Sequence, residues 1–153
     1  MKKTVKPMSC ILCAVFCVAL LAGTLHAATI KWYGYDEGVL LSKNQKKKTF
    51  LYFWADWCRY CEKMEKETLS KKEIVEILNN RYIPIKINSD AEKSLATRYS
   101  VRGLPTAWFL SETGEKISNL PGYVAPDIFL PILRYIDSDS YKKMTFKEFL
   151  EKK

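Results

Sequence analysis

Two cysteines three residues apart, in Trp57-Cys58-Arg59-Tyr60-Cys61, are the part of this sequence with the clearest capacity for chemistry. They follow an apolar run and open a stretch of helical periodicity. A pair at this spacing at a helix start can close a small disulfide ring and reopen it without refolding. The first thiol meets unpaired backbone N–H groups and the positive end of the helix dipole, which both favour thiolate. Such settings lower a thiol pKa from about 8.5 to roughly 3.5–7.5. Arg59 adds a fixed positive charge next to it. Because the thiolate is the attacking species, Cys58 is the expected nucleophile and Cys61 the resolving thiol.

Other uses of paired cysteines fit less well. A structural disulfide over two intervening residues closes too small a loop to stabilise much through chain entropy. A zinc site needs further ligands, and covalent haem attachment needs His at position 62, where Glu stands. The rest of the chain narrows the choice further. It has 153 residues, enough for one ordinary domain, with 48% apolar and 27% charged types, which argues against disorder and against a multi-span membrane protein. Three of the five cysteines (Cys10, Cys13, Cys17) and the one histidine (His26) lie in the first 27 residues. Residues 28–153 therefore offer one dithiol and no histidine, which excludes a Cys–His or Ser–His pair and a His-based or four-Cys metal centre. Neither a metal nor an organic cofactor is expected.

Residues 1–27 have the layout of a secretory signal. Basic Met1–Lys6 precedes the uncharged run Ile11–Gly23, and Leu25-His26-Ala27 ends on a small residue. The expectation is a cleaved signal peptide over 1–27, in preference to an uncleaved anchor, followed by one exported domain over 28–153. The exported part is expected in a compartment where disulfides persist. The exported part carries 22 Lys+Arg against 17 Asp+Glu, a net +5 with interleaved signs, and reads as an ordinary solvated surface. No nucleic-acid module is present in the pattern, and a monomer is expected.

The elements that must hold the dithiol are legible from periodicity. Asp36–Gln45 reads as a short helix with Val39, Leu40 and Leu41 inward, and Lys46-Lys47-Lys48 as a solvated turn. Thr49–Trp54 is β-branched and aromatic without polar alternation, hence a strand covered on both faces. A helix runs from the cysteines to about Leu69 and another from Lys72 to Asn80. Tyr82–Asn88 is a second strand, with Pro84 placed where no ladder donor is needed. Ala91–Tyr99 is a short helix. Thr106–Leu110 and Lys116–Leu120 form a hairpin around Gly114. Pro126 starts an amphipathic helix to Ile136 with Pro131 awkwardly inside, and Thr145 with Glu148 caps a last helix, Phe146–Lys153. That order gives an α/β fold, a mixed sheet flanked by helices.

Phe53-Trp54-Ala55-Asp56-Trp57-Cys58-Arg59-Tyr60-Cys61 resembles the active-site segment of thioredoxin-fold proteins. Val101-Arg102-Gly103-Leu104-Pro105-Thr106 resembles their second signature, and Gly114 and Gly122 match two later glycines. The resemblance implies a thioredoxin-like fold, a redox disulfide Cys58–Cys61, and a cis Pro105 facing it. It also implies substrate contacts from Trp57, Arg59, Tyr60, Leu104, Pro105 and Thr106, with the Leu104 backbone pairing with the substrate chain. Two positions depart from cytosolic thioredoxins: Arg59-Tyr60 replaces Gly-Pro between the cysteines, and Tyr52 replaces a buried Asp. The lead-in Trp32–Lys48 is similar to small exported relatives of the C-terminal domain of the membrane thiol:disulfide interchange protein. That resemblance implies the bacterial periplasm as the compartment. The implied activity is exchange with protein disulfides or dithiols, most simply their reduction, with such a membrane protein as electron donor. An oxidant or isomerase of the same fold, and a non-catalytic peptide-binding module, are the alternatives.

Overall fold

Phe50, Leu51, Tyr52 and Phe53 have no solvent-exposed surface, which is why their segment has no polar alternation. They belong to strand β1 (Lys48–Trp54), which is central in the sheet of the computed structural model, whose described residues are 29–152. The expected signal over 1–27 lies outside them. Helix α1 (Tyr35–Gln45) precedes β1. Helix α2 (Arg59–Met64) follows and passes into a π-helical turn, Glu65–Leu69. Next come α3 (Lys72–Arg81), β2 (Tyr82–Asn88), α4 (Lys93–Arg98), β3 (Thr106–Leu110) and β4 (Lys116–Pro121). Helix α5 (Pro126–Asp137), a single 3₁₀ turn (Ser140–Lys142) and α6 (Phe146–Glu151) complete the order.

The sheet order is β2-β1-β3-β4. β2 is parallel to β1, while β3 pairs antiparallel with both β1 and β4. Side chains alternate across β1 and feed two cores. Phe50 and Tyr52 pack with Cys58, Cys61 and Met64, with Ile74 and Leu78 of α3, and with Phe129, Leu133 and Ile136 of α5. Leu51 and Phe53 pack on the other face with Ile83, Ile85, Ile87, Tyr99 and side chains of α1. Helices therefore cover both faces.

The two prolines in unlikely places have local explanations. The Pro84 carbonyl points to the outer edge of the sheet, where it accepts the Tyr33 N–H at 2.9 Å. The missing N–H of Pro84 faces the same edge, so no ladder bond to β1 is lost. Pro131 sits inside α5 and forgoes its bond to the Asp127 carbonyl, in the exposed first turn.

Two local expectations fail. Of the three residues expected to face inward on α1, Val39 and Leu41 pack on the second core but Leu40 is 61% exposed, and the buried positions are Gly38 and Ser42. A Cβ on Gly38 would collide with Cγ1 and Cδ1 of Ile85, so the helix lies closer to β2 than any larger residue permits. Lys48 is no part of a solvated turn. It is the first residue of β1 and 6% exposed, with its ammonium 3.3 Å from Glu112 and 3.1 Å from Asp139. Its partners come from the β3–β4 turn and from beyond α5, too far along the sequence for a local reading to find.

Candidate active site

Cys58 follows the C-terminal end of β1 by a tight turn, its N–H donating to the Ala55 carbonyl at 3.2 Å. It is the N-cap of α2 with extended backbone, and its carbonyl accepts from Cys61 and Glu62 N–H to start the helix. Its Sγ also accepts from the Cys61 N–H at 3.1 Å, so that donor is shared between the Cys58 carbonyl and the sulfur. Cys58 and Cys61 are joined as a disulfide with Cα atoms 5.2 Å apart. Cys58 is 6% exposed and Cys61 1%, so Cys58 is the more accessible of two buried residues.

Around the pair, Trp57 and Tyr60 are 70% and 63% exposed, an unusual display for large aromatic side chains. The Trp57 indole N–H donates to Asp90 at 2.8 Å, which fixes the ring beside the cysteines. Arg59 is exposed as well. The segment before β3 carries a cis Leu104–Pro105 peptide bond. Pro105 is buried, with its carbonyl accepting the Gly122 N–H at 2.7 Å, and Thr106 is buried with its hydroxyl donating to the Gly103 carbonyl at 2.7 Å. Leu104 is half-buried and touches both cores. The first of these two cores includes both cysteines.

Under Cys61 lies Tyr52, whose hydroxyl donates to the Cys61 carbonyl at 3.2 Å. Burial, and then the charge of Glu65, push its phenol well above the ordinary tyrosine range, so it remains a donor at neutral pH. Lys86 pairs with Glu65 at 3.1 Å and lies over the Trp54 ring at 4.1 Å. The Tyr52 contact was beyond sequence reasoning, since it depends on how closely α2 sits on β1. Among the described residues no cluster of three or more His, Cys, Asp or Glu is placed to hold a metal.

A family model described as a thioredoxin-like domain matches residues 36–137. The chain belongs to this family. Among curated proteins it is similar to the thiol:disulfide interchange protein DsbD of Photorhabdus laumondii, 31% identical over 102 residues, covering 63% of this chain and 18% of that one. The Haemophilus influenzae DsbD is 31% identical over 94 residues, 58% of this chain and 16% of the relative. The chain thus spans less than a fifth of the length of these two relatives. Among solved structures, a thioredoxin from Thermus thermophilus is 29% identical with a TM-score of 0.65, covering 71% of this chain and 87% of that one. The oxidised C-terminal domain of Neisseria meningitidis DsbD shares the fold, with a TM-score of 0.55 at 22% identity over 68% of this chain and 97% of that one. The chain thus combines a thioredoxin-like domain with a disulfide-bonded Cys58–Cys61 pair, and thiol:disulfide interchange proteins are among the proteins it is similar to.

Proposed function

We propose that this chain is an exported thiol–disulfide oxidoreductase that reduces protein disulfides, with Cys58 as nucleophile and Cys61 as resolving thiol. The observation that carries it is the asymmetry of the pair. Cys58 caps a helix, receives an N–H on its sulfur and is the more exposed, while Cys61 is buried behind it. The Cys58 thiolate attacks one sulfur of a substrate disulfide, forming a mixed disulfide and releasing one substrate thiolate. The Cys61 thiolate then attacks Cys58 Sγ, the second substrate thiolate leaves, and Cys58–Cys61 closes. Two electrons have passed to the substrate. A dithiol donor must return them, and a membrane thiol:disulfide interchange protein is the proposed source.

Trp57, Arg59, Tyr60, Leu104, Pro105 and Thr106 are the proposed substrate-contacting and supporting residues. The exposure of the two aromatic rings supports this, because rigid rings with a polar edge give contact area at little entropic cost. Export rests on the leader-like residues 1–27. Among the described residues no helix is long and apolar enough to cross a membrane.

Insulin reduction with a dithiol donor tests the assignment. Turnover is expected, abolished in Cys58→Ala and in Cys61→Ala, with Cys61→Ala accumulating mixed disulfide through Cys58. Failure of the intact protein to reduce insulin, or equal capture when Cys58 is also removed, would leave the non-catalytic peptide-binding reading. The equilibrium constant against glutathione decides between reductant and oxidant, a tenfold change being about 30 mV for two electrons.

A further inference from the structure

Residues 29–33 run along the outer edge of β2 as a strap tied at both ends. At one end Tyr33 forms a parallel bridge with Ile85, donating its N–H to Pro84 and accepting from Lys86 N–H at 3.2 Å. At the other end is Asn79 of α3. Its Oδ1 accepts the Lys31 N–H at 2.9 Å, and its Nδ2 donates to the Thr29 carbonyl at 2.9 Å. A side-chain amide presents a donor and an acceptor side by side, so Asn79 engages the strap as a neighbouring strand would.

Between the ties stands Trp32. Its ring stacks on Tyr52 with centroids 5.8 Å apart and an interplanar angle of 28°, and it packs on Phe50 at 6.1 Å. Tyr52 is the side chain that holds the Cys61 carbonyl, and Cys61 is the residue whose N–H meets Cys58 Sγ. A continuous series of contacts therefore leads from a half-buried amide on α3 to the Cys58 sulfur. We infer that the strap, hooked by Asn79, is a positioning device for the dithiol: through Trp32 and Tyr52 it keeps the Cys61 N–H aimed at Cys58 Sγ. This rests on the reading of Cys58 as the attacking thiol. Hydrogen bonds to an ionised acceptor are roughly twice as strong as those between neutral groups. Alignment therefore stabilises the thiolate more than the thiol, and loosening the strap raises the pKa of Cys58.

The test is the pH profile of iodoacetamide alkylation of Cys58 in the reduced full chain, followed on the Cys58 peptide by mass spectrometry. Asn79→Ala is expected to move the profile to higher pH and slow alkylation roughly three- to tenfold below the pKa, with the high-pH plateau unchanged. Tyr52→Phe keeps the stacked ring but loses the hydroxyl and should give a similar shift. The double variant should shift no further than Tyr52→Phe alone, since both act through one contact. Trp32→Phe, which keeps a ring on Tyr52, is the milder second variant and should lie between wild type and Asn79→Ala.

An Asn79→Ala profile that coincides with wild type, even with lowered stability, would make the strap a mere cover for the sheet edge. Additive shifts in the double variant would show that the strap acts by another route, and would equally overturn the proposal. Insulin reduction by the wild type reports separately on the oxidoreductase reading, so the two can fail independently.

Discussion

Lys48 shows how much one residue can carry that its neighbourhood in sequence hides. Lys46, Lys47 and Lys48 form a uniform basic run, yet the last belongs to β1 and is enclosed. Its aliphatic stem is buried, while its ammonium faces Glu112, Asp139 and the Asp137 carbonyl. The Glu112 side chain is 38% exposed, and Asp139 keeps the Lys142 ammonium at 3.0 Å, so neither carboxylate is left uncompensated when Lys48 is gone. The loss is then smaller than for a fully buried pair. Lys48→Met, which preserves most of the stem, should lower stability by about 0.5–2 kcal/mol in urea denaturation. Lys48→Ala should cost more, because packing is lost together with charge. An unchanged urea midpoint in Lys48→Met would mean that the ion pairs contribute nothing net. By contrast the closeness of Cys58 and Cys61 at a helix start was readable from residue type and spacing, because a helix start and a two-residue gap are local properties. The hydroxyl of Tyr52 on Cys61 was not, since it links side chain and backbone of different elements.

At the scale of elements, strands were more legible than helix faces. β2 and β3 fall where β-branched and aromatic runs predict, since covered strands announce themselves by continuous apolarity. α1 is placed correctly, and Val39 and Leu41 face the core as expected, but Leu40 does not. Three consecutive residues cannot share one helix face, and the spacing Gly38 to Ser42, flanked by Val39 and Leu41, marks the buried line. The informative residue was the smallest one, a helix-interior glycine that admits Ile85. Gly38→Ala tests this in a way that opposes intrinsic propensity. Alanine gains about 1 kcal/mol in an open helix. Against Ile85 it is overpacked, at a cost of roughly 1–3 kcal/mol. A net loss of about 1 kcal/mol is expected in urea denaturation, and Ile85→Val in the same background, which removes Cδ1, should restore part of it. A more stable Gly38→Ala would show that α1 can retreat from β2 at little cost. The last helix follows its local signal: Thr145 and Glu148 form a reciprocal capping box, and Phe146 and Phe149 pack on Tyr135 of α5.

On the scale of the molecule, the dithiol and the Lys48 cluster lie at opposite ends of β1. The dithiol follows the C-terminal end of β1, and the Lys48 cluster sits at its N-terminal end. Seven strand residues span roughly 20 Å, more than twice the screening length of about 8 Å at physiological salt. Lys48→Met should therefore leave the Cys58 alkylation profile unmoved while it lowers stability. The pH dependence of stability follows from the shifts around these groups. Burial alone would raise Asp139, but hydrogen bonds from Lys142 and Lys48, with their charges, outweigh it and hold the carboxyl below its ordinary value. Glu62 is lowered by its hydrogen bond and ion pair with Lys66, and Glu148 by the Thr145 backbone and side chain. Groups lowered on folding stabilise above their unfolded pKa and lose that contribution as pH falls through the folded value. At the other end Tyr52, Tyr82 and Tyr99 are raised chiefly by burial, and Lys66 and Lys142 by their acidic partners. Groups raised on folding contribute fully below their unfolded pKa and lose it as pH rises through the folded value. Stability should thus be nearly flat from about pH 6 to 9, fall below about pH 4 as the carboxylates protonate, and fall again above about pH 10. The share of the acid limb from Glu62 and Asp139 rests on lysine partners, so 1 M salt should weaken it, while the Glu148 share rests on the Thr145 hydrogen bonds. The alkaline limb belongs to buried phenols and should persist in salt. Urea midpoints measured across pH at low and high ionic strength decide this. An alkaline limb that disappears with salt would assign it to the surface lysines rather than to the buried rings.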